Sequence, residues 1–506
     1  MKLLTVKFKN LIGSNNSSMQ GAIYTVGNIF PQIVRMLLLP LFTRYLSPEE
    51  YGIINYTNSI CTFLFILTIL SLNSFVGRHY FDCKTEDEKK RMFGSIFLFM
   101  MLLSGAFLIL ELSAGQTILL YTNVQVPFSP YFQLAFLNVA LEIFLVLPRI
   151  YFRVRKEAKK FIIFTIGNTI LNIVMSLIFV VYFGMGILGR YYGMLIANLV
   201  FAVISLVIIW RISTFVLDLK LIKKGLAFAM PILPSALCGI LMSVSDRIIL
   251  ERYVSLSVLG LYSVGSMVGQ MPLSALSNGI YKAVEPNIYG KFNEKGFDQY
   301  IVYIKKYCLS VILLFAIPIG LFSQEILMIM AAPKFHSVFM IVPIFVLSVI
   351  VQTIAMPAML YLYATRKTQF APLITFVGVG VNIGTSLWLI PRIGIYGAAV
   401  STLLAVITSY LVNILIIERI SLKRIQWGYL TDFFKIFLVS LPILFFVYVP
   451  SFSFIVSIPV KFLILCAYWI IFGTRLLSEV GRLENKSQQA GLSAIWKKFS
   501  ISKKFG

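Results

Sequence analysis

The chain has 506 residues, of which 59% are hydrophobic and only 13% are charged, and its mean hydropathy is +0.88. This composition is far more apolar than that of a globular domain, so it excludes a soluble enzyme or binding domain and indicates an integral membrane protein. The net charge of +24 is spread over short separate loops, which disfavours nucleic acid as a partner and is typical of membrane topology and of contact with anionic lipids.

Apolar runs of about 20 residues, long enough to cross the hydrocarbon core as helices, recur along the chain. They follow a basic, polar tail over residues 1–18 that lacks the apolar core of a signal peptide, so we expect this tail to be retained. The longest loop on the outward side is predicted from Ser113 to Pro127. The first six predicted spans are Met19 to Phe42, Ile53 to Phe75, Phe93 to Leu112, Phe128 to Leu147, Phe161 to Phe183 and Tyr191 to Trp210.

The second half of the chain repeats this rhythm and then adds two spans. The predicted spans are Leu226 to Ser245, Val258 to Tyr281, Tyr307 to Phe322, Val338 to Tyr363, Phe370 to Ile390, Tyr396 to Ile417, Phe433 to Val449 and Phe452 to Phe472. The predicted fold class is therefore an all-α integral membrane protein with about 14 transmembrane helices. The predicted parts are a cytoplasmic N-tail (1–18), an N-terminal six-helix bundle (19–217), a C-terminal six-helix bundle (218–424), two extra transmembrane helices (425–474) and a basic cytoplasmic C-tail (475–506).

Two separated pairs of matching segments reveal an internal duplication. Every matched position is displaced by 208 residues, and two matches at one offset indicate a duplicated unit of roughly 200 residues, as in transporters with internal symmetry. We therefore predict that the functional site lies between the copies. The matches are Arg44-Tyr45-Leu46-Ser47 and Gly52 with Arg252-Tyr253-Val254-Ser255 and Gly260, and Gly186-Ile187-Leu188-Gly189 with Gly394-Ile395-Tyr396-Gly397.

The distribution of basic residues orients the predicted spans. Lys and Arg concentrate in both tails and in every second loop, and cytoplasmic loops are the ones that hold such an excess. Both termini are therefore predicted to be cytoplasmic. The opposite loops are predicted to contain only Arg44, Arg190, Arg247, Arg252, Lys334 and Arg392 of the 44 Lys and Arg residues.

Ionisable side chains inside the spans mark the candidate site, because each costs about 2.5 to 3.5 kcal/mol on insertion scales and usually lines a cavity. Arg35 lies in the middle of the first span, and Asp246 and Arg247 end the seventh span, its counterpart in the second copy. We predict that these three residues belong to a substrate-binding cavity, where guanidinium groups hold an anionic headgroup such as a diphosphate. The alternative is structural: Arg247 pairs with Asp246 or Glu251, and Arg35 reaches toward the membrane surface.

Glu142 and Lys461 are further charged residues inside predicted spans. Glu142 is the only acid deep in the fourth span and is a candidate for binding a coupling proton or cation, with neutralisation of a neighbouring arginine as the alternative. Lys461 lies in the last span, outside the duplication, and is interpreted as a packing residue.

Several common chemistries find no support in the sequence. It contains no Gly-x-x-x-x-Gly-Lys-Ser/Thr phosphate loop, and its five cysteines are scattered, so no ATP site of that type, disulfide, metal site or cofactor is predicted. The short outward loops offer little room for the catalytic residues of a glycosyltransferase or polymerase. We therefore expect a transporter and not an enzyme.

The repeated segments resemble the signatures of a known family. The resemblance is to the polysaccharide transporter family, which includes the Wzx-type O-antigen flippases and belongs to the multidrug, oligosaccharidyl-lipid and polysaccharide exporter superfamily. It covers nearly the full length and includes the order and spacing of the motifs. The segments that carry it are Leu39 to Gly52, Ser245-Asp246-Arg247-Ile248-Ile249 continuing to Gly260-Leu261-Tyr262-Ser263, Asn172 with Gly186 to Gly189, and Asn382 with Gly394 to Gly397.

The resemblance implies a flippase that moves an undecaprenyl-diphosphate-linked oligosaccharide repeat unit, of the O-antigen type used in lipopolysaccharide biosynthesis, from the cytoplasmic to the periplasmic leaflet. It implies alternating access, driven by a proton or sodium gradient or by the membrane potential, in the bacterial inner membrane. The implied partners are the lipid-linked oligosaccharide, membrane lipids and the polysaccharide polymerase machinery. Of the candidate site residues, only Asp246 and Arg247 carry over by motif.

Two alternatives to an O-antigen flippase stay open. One is a flippase for another lipid-linked glycan, such as the peptidoglycan precursor or a teichoic or capsular unit. The other is a multidrug or cation antiporter of the same superfamily, for which carboxylates facing a cavity would be expected in place of arginines.

Overall fold

The computed structural model describes residues 27, 30–292, 294, 296–420, 428–448 and 458–470. These residues form helices joined by short loops, and no β-strand occurs among them, in agreement with the predicted fold class. The predicted tails, 1–18 and 475–506, lie outside the described residues, as does most of 19–29, where the first span is predicted to begin.

Eight helices cover the described chain up to residue 229. Helix α1 runs through residues 30–37, is interrupted at Leu38 and continues as Leu39–Tyr45. The interruption is a consequence of Pro40, whose ring nitrogen has no hydrogen to donate to the preceding turn. The others are α2 (Pro48–Ile69), α3 (Leu72–His79), α4 (Glu86–Thr122), α5 (Phe128–Val154), α6 (Ala158–Tyr182), α7 (Gly186–Ile212) and α8 (Leu219–Ala229).

Ten helices follow in the remaining described residues. They are α9 (Leu233–Tyr253), α10 (Leu256–Gly269), α11 (Met271–Lys291), α12 (Phe297–Leu321), α13 (Ser323–Met330), α14 (Pro333–Ala364), α15 (Phe370–Ile393), α16 (Ile395–Ile420), α17 (Tyr429–Tyr448) and α18 (Ile458–Ile470). The predicted seventh span, Leu226 to Ser245, is divided between α8 and α9. Pro231 lies in the turn between these two helices, and Pro234 lies in the first turn of α9, where its missing N–H costs nothing.

Eleven helices in the described part are long and apolar enough to cross a membrane, and each overlaps one of the predicted spans two to twelve. The first predicted span overlaps α1, and the last two overlap the shorter apolar helices Ile436–Tyr448 and Ile458–Ile470. The described residues therefore agree with a many-helix membrane protein, whereas the total of 14 spans stays a prediction.

The predicted outward loop from Ser113 to Pro127 is mostly helical. Helix α4 continues through Thr122 and ends only at Asn123, which has the left-handed backbone conformation with φ of 51°. Asparagine is one of the few residues other than glycine that adopts this conformation readily. The loop is consequently reduced to residues 123–127 and is shorter than predicted.

The repeated Arg-Tyr-x-Ser segments are helix boundaries. Ser47 accepts a hydrogen bond from the Glu50 N–H at 3.1 Å and its own N–H donates to the Glu50 carboxylate at 2.7 Å, which together form a capping box at the start of α2. Ser255, the repeat counterpart of Ser47, caps α10 by accepting from the Val258 N–H at 3.4 Å. The motif thus ends one helix and starts the next at the same place in each copy.

The second repeated motif places glycine at matching helix starts. Gly186 and Gly394 have φ of 53° and 57°, a conformation that residues with a Cβ rarely adopt. Gly189 and Gly397 then lie against the backbone of the preceding helix, where an added Cβ would be 2.7 Å from Phe179 C and 2.6 Å from Leu389 C. The same residues therefore build the same tight turn twice.

Helices α2 and α10 pack against each other through glycines. An ideal Cβ on Gly52 would lie 1.9 Å from the Leu256 carbonyl oxygen, and one on Gly260 would lie 1.8 Å from the Pro48 carbonyl oxygen. Small residues permit this close approach of two helix backbones in membrane proteins. The contact joins the ends of α2 and α10 at the side of the molecule that contains Ser47 and Ser255, which we name the Ser47 end.

Candidate functional site

A central cavity of about 570 Å³ lies below the Ser47 end. It follows α2 from Tyr51 to Phe65, about 21 Å at the helical rise of 1.5 Å per residue. Most of its wall comes from α1, α2, α5 and α7, and the second half of the chain contributes Val244, Arg247 and Met267. The polar lining residues are Arg35, Tyr51, Asn55, Asn58, Ser59, Thr62, Asn138, Glu142, Arg190, Tyr191, Asn198 and Arg247.

Arg35 faces this cavity from α1. Its Nε donates to the Pro31 carbonyl oxygen at 3.2 Å, and its side chain is otherwise exposed to the cavity. Within the described chain its two Nη atoms make no hydrogen bond, so they keep the capacity to donate to a ligand. The prediction that Arg35 lines a cavity therefore agrees with its position.

Arg247 also lines the cavity, but protein groups already hold its guanidinium. Nη1 donates to the Ser243 carbonyl oxygen at 2.7 Å and to Asp246 Oδ1 at 3.3 Å, and Nη2 donates to Ser266 Oγ at 3.1 Å. The Tyr262 hydroxyl donates to the other oxygen of Asp246. This arrangement matches the structural alternative for Arg247, since the carboxylate of Asp246 compensates its charge.

Asp246 is buried and does not line the cavity. It accepts hydrogen bonds from the Arg247 backbone N–H at 2.8 Å and from Tyr262. Its position in the structure is therefore behind Arg247, where it orients the guanidinium.

Arg190 is a third cation of the cavity wall, whereas the sequence predicts it in an outward loop. It lies near the start of α7, four residues after Gly186, where Nη1 donates to Asn172 Oδ1 at 2.8 Å and to Ser176 Oγ at 2.6 Å. Its guanidinium lies 5.4 Å from the centroid of the Phe42 ring. A signal for this residue is present in the sequence, because Arg190 directly follows the repeated Gly186 to Gly189 motif at the start of an apolar span.

Glu142 is the acidic residue of the cavity wall. It ends an α-helical part of α5, just before the short 3-10 turn Ile143–Leu145. Its negative charge interacts with the guanidinium groups of Arg35 and Arg149. Both interpretations of Glu142, as an ion-binding group and as a partner for a neighbouring arginine, are compatible with this position.

The two like charges Arg35 and Arg190 are close enough to interact unfavourably. Burial strengthens such repulsion, because the protein interior screens charge less than water does. The structure thus brings Arg35 and Arg247 of the predicted cavity residues to one cavity, without Asp246, and adds Glu142 and Arg190 to the same wall, which therefore has more positive than negative groups.

Hydrogen bonds between distant parts of the chain close the Ser47 end above the cavity. Gln125 donates through its backbone N–H to the Glu251 carboxylate and through its amide to the Glu251 and Val254 carbonyl oxygens, the last at 3.0 Å. The Ala332 N–H donates to Thr43 Oγ1 at 3.1 Å. These contacts join the N-terminal part of the chain to the C-terminal part at the same end.

Lys461 lies outside the cavity in a buried ion pair. Its Nζ contacts Glu325 Oε1 at 2.7 Å, and the two side chains are only 3% and 13% exposed. The pair connects α18 to α13, which agrees with the interpretation of Lys461 as a packing residue.

The chain is similar in sequence to known proteins. The polysaccharide biosynthesis protein family, Polysacc_synt, matches residues 19–288, more than half of the chain. The chain belongs to this family. It is also 23% identical over 403 residues to "Lsg locus putative protein 1" of Haemophilus influenzae, a match that covers 74% of this chain and 94% of that protein.

Solved transporters share the fold of this member of the polysaccharide biosynthesis protein family. A structure titled "Lipid II flippase MurJ, inward closed conformation" superposes with a TM-score of 0.70 at 17% identity and covers 90% of this chain and 100% of that one. An inward-facing multidrug resistance MATE family transporter of the MOP superfamily gives a TM-score of 0.60 at 15% identity, covering 78% of this chain and 94% of that one. At these identities the likeness concerns the fold.

Proposed function

We propose that this protein is a flippase that transfers a polyprenyl-diphosphate-linked oligosaccharide, of the O-antigen type, from the cytoplasmic to the periplasmic leaflet of the bacterial inner membrane. The observation that carries the proposal is the pair Arg35 and Arg190 on one cavity wall. Arg35 lies close enough to Arg190 for the two positive charges to repel, and an anion bound beside both would relieve this repulsion. A diphosphate supplies two adjacent negative groups that accept the forked hydrogen bonds of arginine.

Arg247 is a supporting residue in this proposal. Because Asp246 already accepts from it, its charge is partly compensated before any ligand binds. It adds a third donor at the side of the cavity formed by α9, so the headgroup contacts both halves of the chain. A ligand that bridges the two halves is what alternating access between repeats requires.

The distribution of charge supports an orientation for this cycle. The Ser47 end contains few basic residues, whereas the loops at the opposite ends of the helices contain most of the Lys and Arg. The Ser47 end therefore faces the periplasm in our proposal, and the structure corresponds to a state closed on that side. Release to the periplasm requires the contacts of Gln125 with Glu251 and of Thr43 with Ala332 to separate.

Glu142 is the group that we assign to ion coupling. It shares the cavity with Arg35, so a bound proton or sodium ion changes the net charge that the headgroup meets. A multidrug or cation antiporter is disfavoured, because arginines outnumber carboxylates on the wall of this cavity.

Deletion of the gene tests the proposal and identifies the glycan. We expect one surface glycan to disappear and its polyprenyl-diphosphate-linked unit to accumulate, as measured by mass spectrometry of membrane lipids. Plasmid-borne wild type and Arg44→Ala should restore the glycan, because Arg44 is exposed on α1 away from the cavity lining, whereas Arg35→Ala should not. Normal surface glycans with no accumulated lipid would contradict the proposal, and loss of drug resistance alone would favour an antiporter.

A further inference from the structure

One face of α2 presents uncharged polar groups to the central cavity. Asn55, Asn58 and Thr62 are spaced three and four residues apart, so they form one stripe about 10 Å long on the helix. We name this stripe the α2 amide face. A membrane-spanning helix normally hides such groups or pairs them, because a polar group without a partner is costly in an apolar environment.

The α2 amide face keeps hydrogen-bonding capacity free. Asn58 is exposed to the cavity, and its side-chain amide has no hydrogen bond within the described chain. The Asn55 amide nitrogen donates to the Tyr51 carbonyl oxygen at 2.8 Å, which leaves its Oδ1 free to accept. Thr62 donates to the Asn58 carbonyl oxygen at 2.7 Å and keeps the acceptor capacity of its hydroxyl oxygen.

Two other amides on the same cavity wall behave differently. Asn198 Nδ2 donates to Asn138 Oδ1 at 3.2 Å, and Asn138 Nδ2 donates to the Leu134 carbonyl oxygen at 2.9 Å. Both side chains are buried, so they hold α5 against α7. The contrast with Asn58 shows that the cavity contains amides with a packing role and amides that are turned toward its interior.

We propose that the α2 amide face is the glycan-recognition surface of the cavity, and that it binds the hydroxyl and acetamido groups of the sugar next to the diphosphate. This inference rests on the proposed function. A side-chain amide offers a donor and an acceptor side by side, which matches a sugar hydroxyl or an acetamido group. The face is uncharged and includes oxygen atoms that accept hydrogen bonds, so it suits a neutral sugar better than it suits a diphosphate. In the proposal, Arg35 and Arg190 bind the diphosphate.

Because the α2 amide face contacts the sugar and the arginines contact the diphosphate, substitutions at the two surfaces should affect ligand binding differently. Removing a hydrogen-bonding group that meets only the sugar weakens binding of the sugar-bearing lipid and leaves the bare diphosphate unaffected. Removing an arginine weakens binding of both. Asn58→Leu keeps nearly the same shape without the amide, and Asn58→Gln keeps the amide.

The experiment measures binding to the purified full-length protein in lipid nanodiscs. The two probes are undecaprenyl diphosphate and the polyprenyl-diphosphate-linked glycan extracted from the deletion strain. We expect Asn58→Leu to raise the Kd for the glycan lipid about tenfold and the Kd for undecaprenyl diphosphate less than twofold, with partial recovery in Asn58→Gln. Thr62→Val should act in the same direction, whereas Thr68→Val, a buried threonine on the same helix bonded to the Phe65 carbonyl oxygen, should change neither.

Two other outcomes would overturn the inference, and they differ in what they say about the proposed function. If wild type binds both probes and Asn58→Leu and Thr62→Val leave the ratio of their Kd values unchanged, the glycan-recognition surface is refuted and the flippase proposal survives. If wild type binds neither probe, or no glycan lipid accumulates on deletion, the proposed function fails and the inference falls with it.

Discussion

Gly52 and Gly260, which the 208-residue repeat relates, each lie against the backbone carbonyl of the residue that begins the other's helix. Gly52 meets Leu256 at the start of α10, and Gly260 meets Pro48 at the start of α2. The contact is therefore symmetric, as in an interface between two equivalent subunits. It supports the interpretation of the chain as a duplicated unit, while the domain boundaries stay predictions.

Substitution of either glycine by alanine should destabilise this contact. The added Cβ would lie 1.9 Å or less from a carbonyl oxygen, so α2 and α10 must move apart, at a cost of roughly 1–3 kcal/mol for an overpacked interface. Thermal unfolding of the detergent-solubilised protein, followed by size-exclusion chromatography, measures the loss. Gly105→Ala on α4 is the control, because nothing lies within 4 Å of the methyl group that this substitution adds; equal melting temperatures for all three variants would show that the contact is not tight.

Replacement of the cavity arginines should impair transport and leave membrane insertion unchanged. Arg35→Ala and Arg247→Ala each remove a donor fork from the wall, and lysine at either position should rescue only partly, because an ammonium cannot form two parallel hydrogen bonds. We expect Arg35→Ala to have the larger effect, since Asp246 already compensates Arg247. The readout is restoration of the surface glycan at equal protein level; full restoration by both alanine variants would refute the anion-binding role.

Substitution of Glu142 should remove the response to an ion gradient. In proteoliposomes, an imposed proton or sodium gradient should accelerate transport by wild type, and Glu142→Gln should transport at a rate that neither gradient alters. Glu111→Gln on α4 is the matched control, because Glu111 does not line the cavity. If Glu142→Gln responds to the gradient as wild type does, the coupling role belongs to another group.

The ion pair between Lys461 and Glu325 should stabilise the attachment of α18. Lys461→Met leaves a buried carboxylate without its partner, and breaking such a pair costs about 3–5 kcal/mol. The double variant Lys461→Met with Glu325→Leu should recover most of the loss, because no charge is then left buried. Thermal unfolding compares these variants with Lys334→Met, whose side chain is exposed; an equally small effect for Lys461→Met would exclude a stabilising pair.

The helical fold was predictable because membrane spans are long apolar runs, and the chain must satisfy its backbone hydrogen bonds within each run. The repeat at Ser47 and Ser255 was equally visible, since helix caps require particular side chains at particular positions. The end of α4 differs from the prediction, because the small and polar residues from Ser113 to Thr117 interrupt the apolar run as a loop would, although they are helical in the structure.

The candidate site was predictable only in part. Arg35 and Glu142 were found because a charge inside a span is rare, and they do line one cavity. Arg190 does not stand out in the sequence, because it lies near a predicted span boundary, where charges are common. The contacts of Arg247 and Tyr262 with Asp246 depend on the packing of α9 against α10, which the sequence does not reveal. Charge and hydropathy predict which residues are unusual, whereas their partners depend on tertiary structure.

The most direct test of the account is translocation of the polyprenyl-diphosphate-linked glycan from the deletion strain in proteoliposomes that contain only this protein. Exposure of the glycan headgroup in the opposite leaflet, measured with a membrane-impermeant enzyme or label, should be rapid with wild type and slow with Arg35→Ala combined with Arg190→Ala. A wild-type rate equal to that of protein-free liposomes, or an undiminished rate in the double variant, would contradict the claim that the headgroup crosses through the arginine-lined cavity.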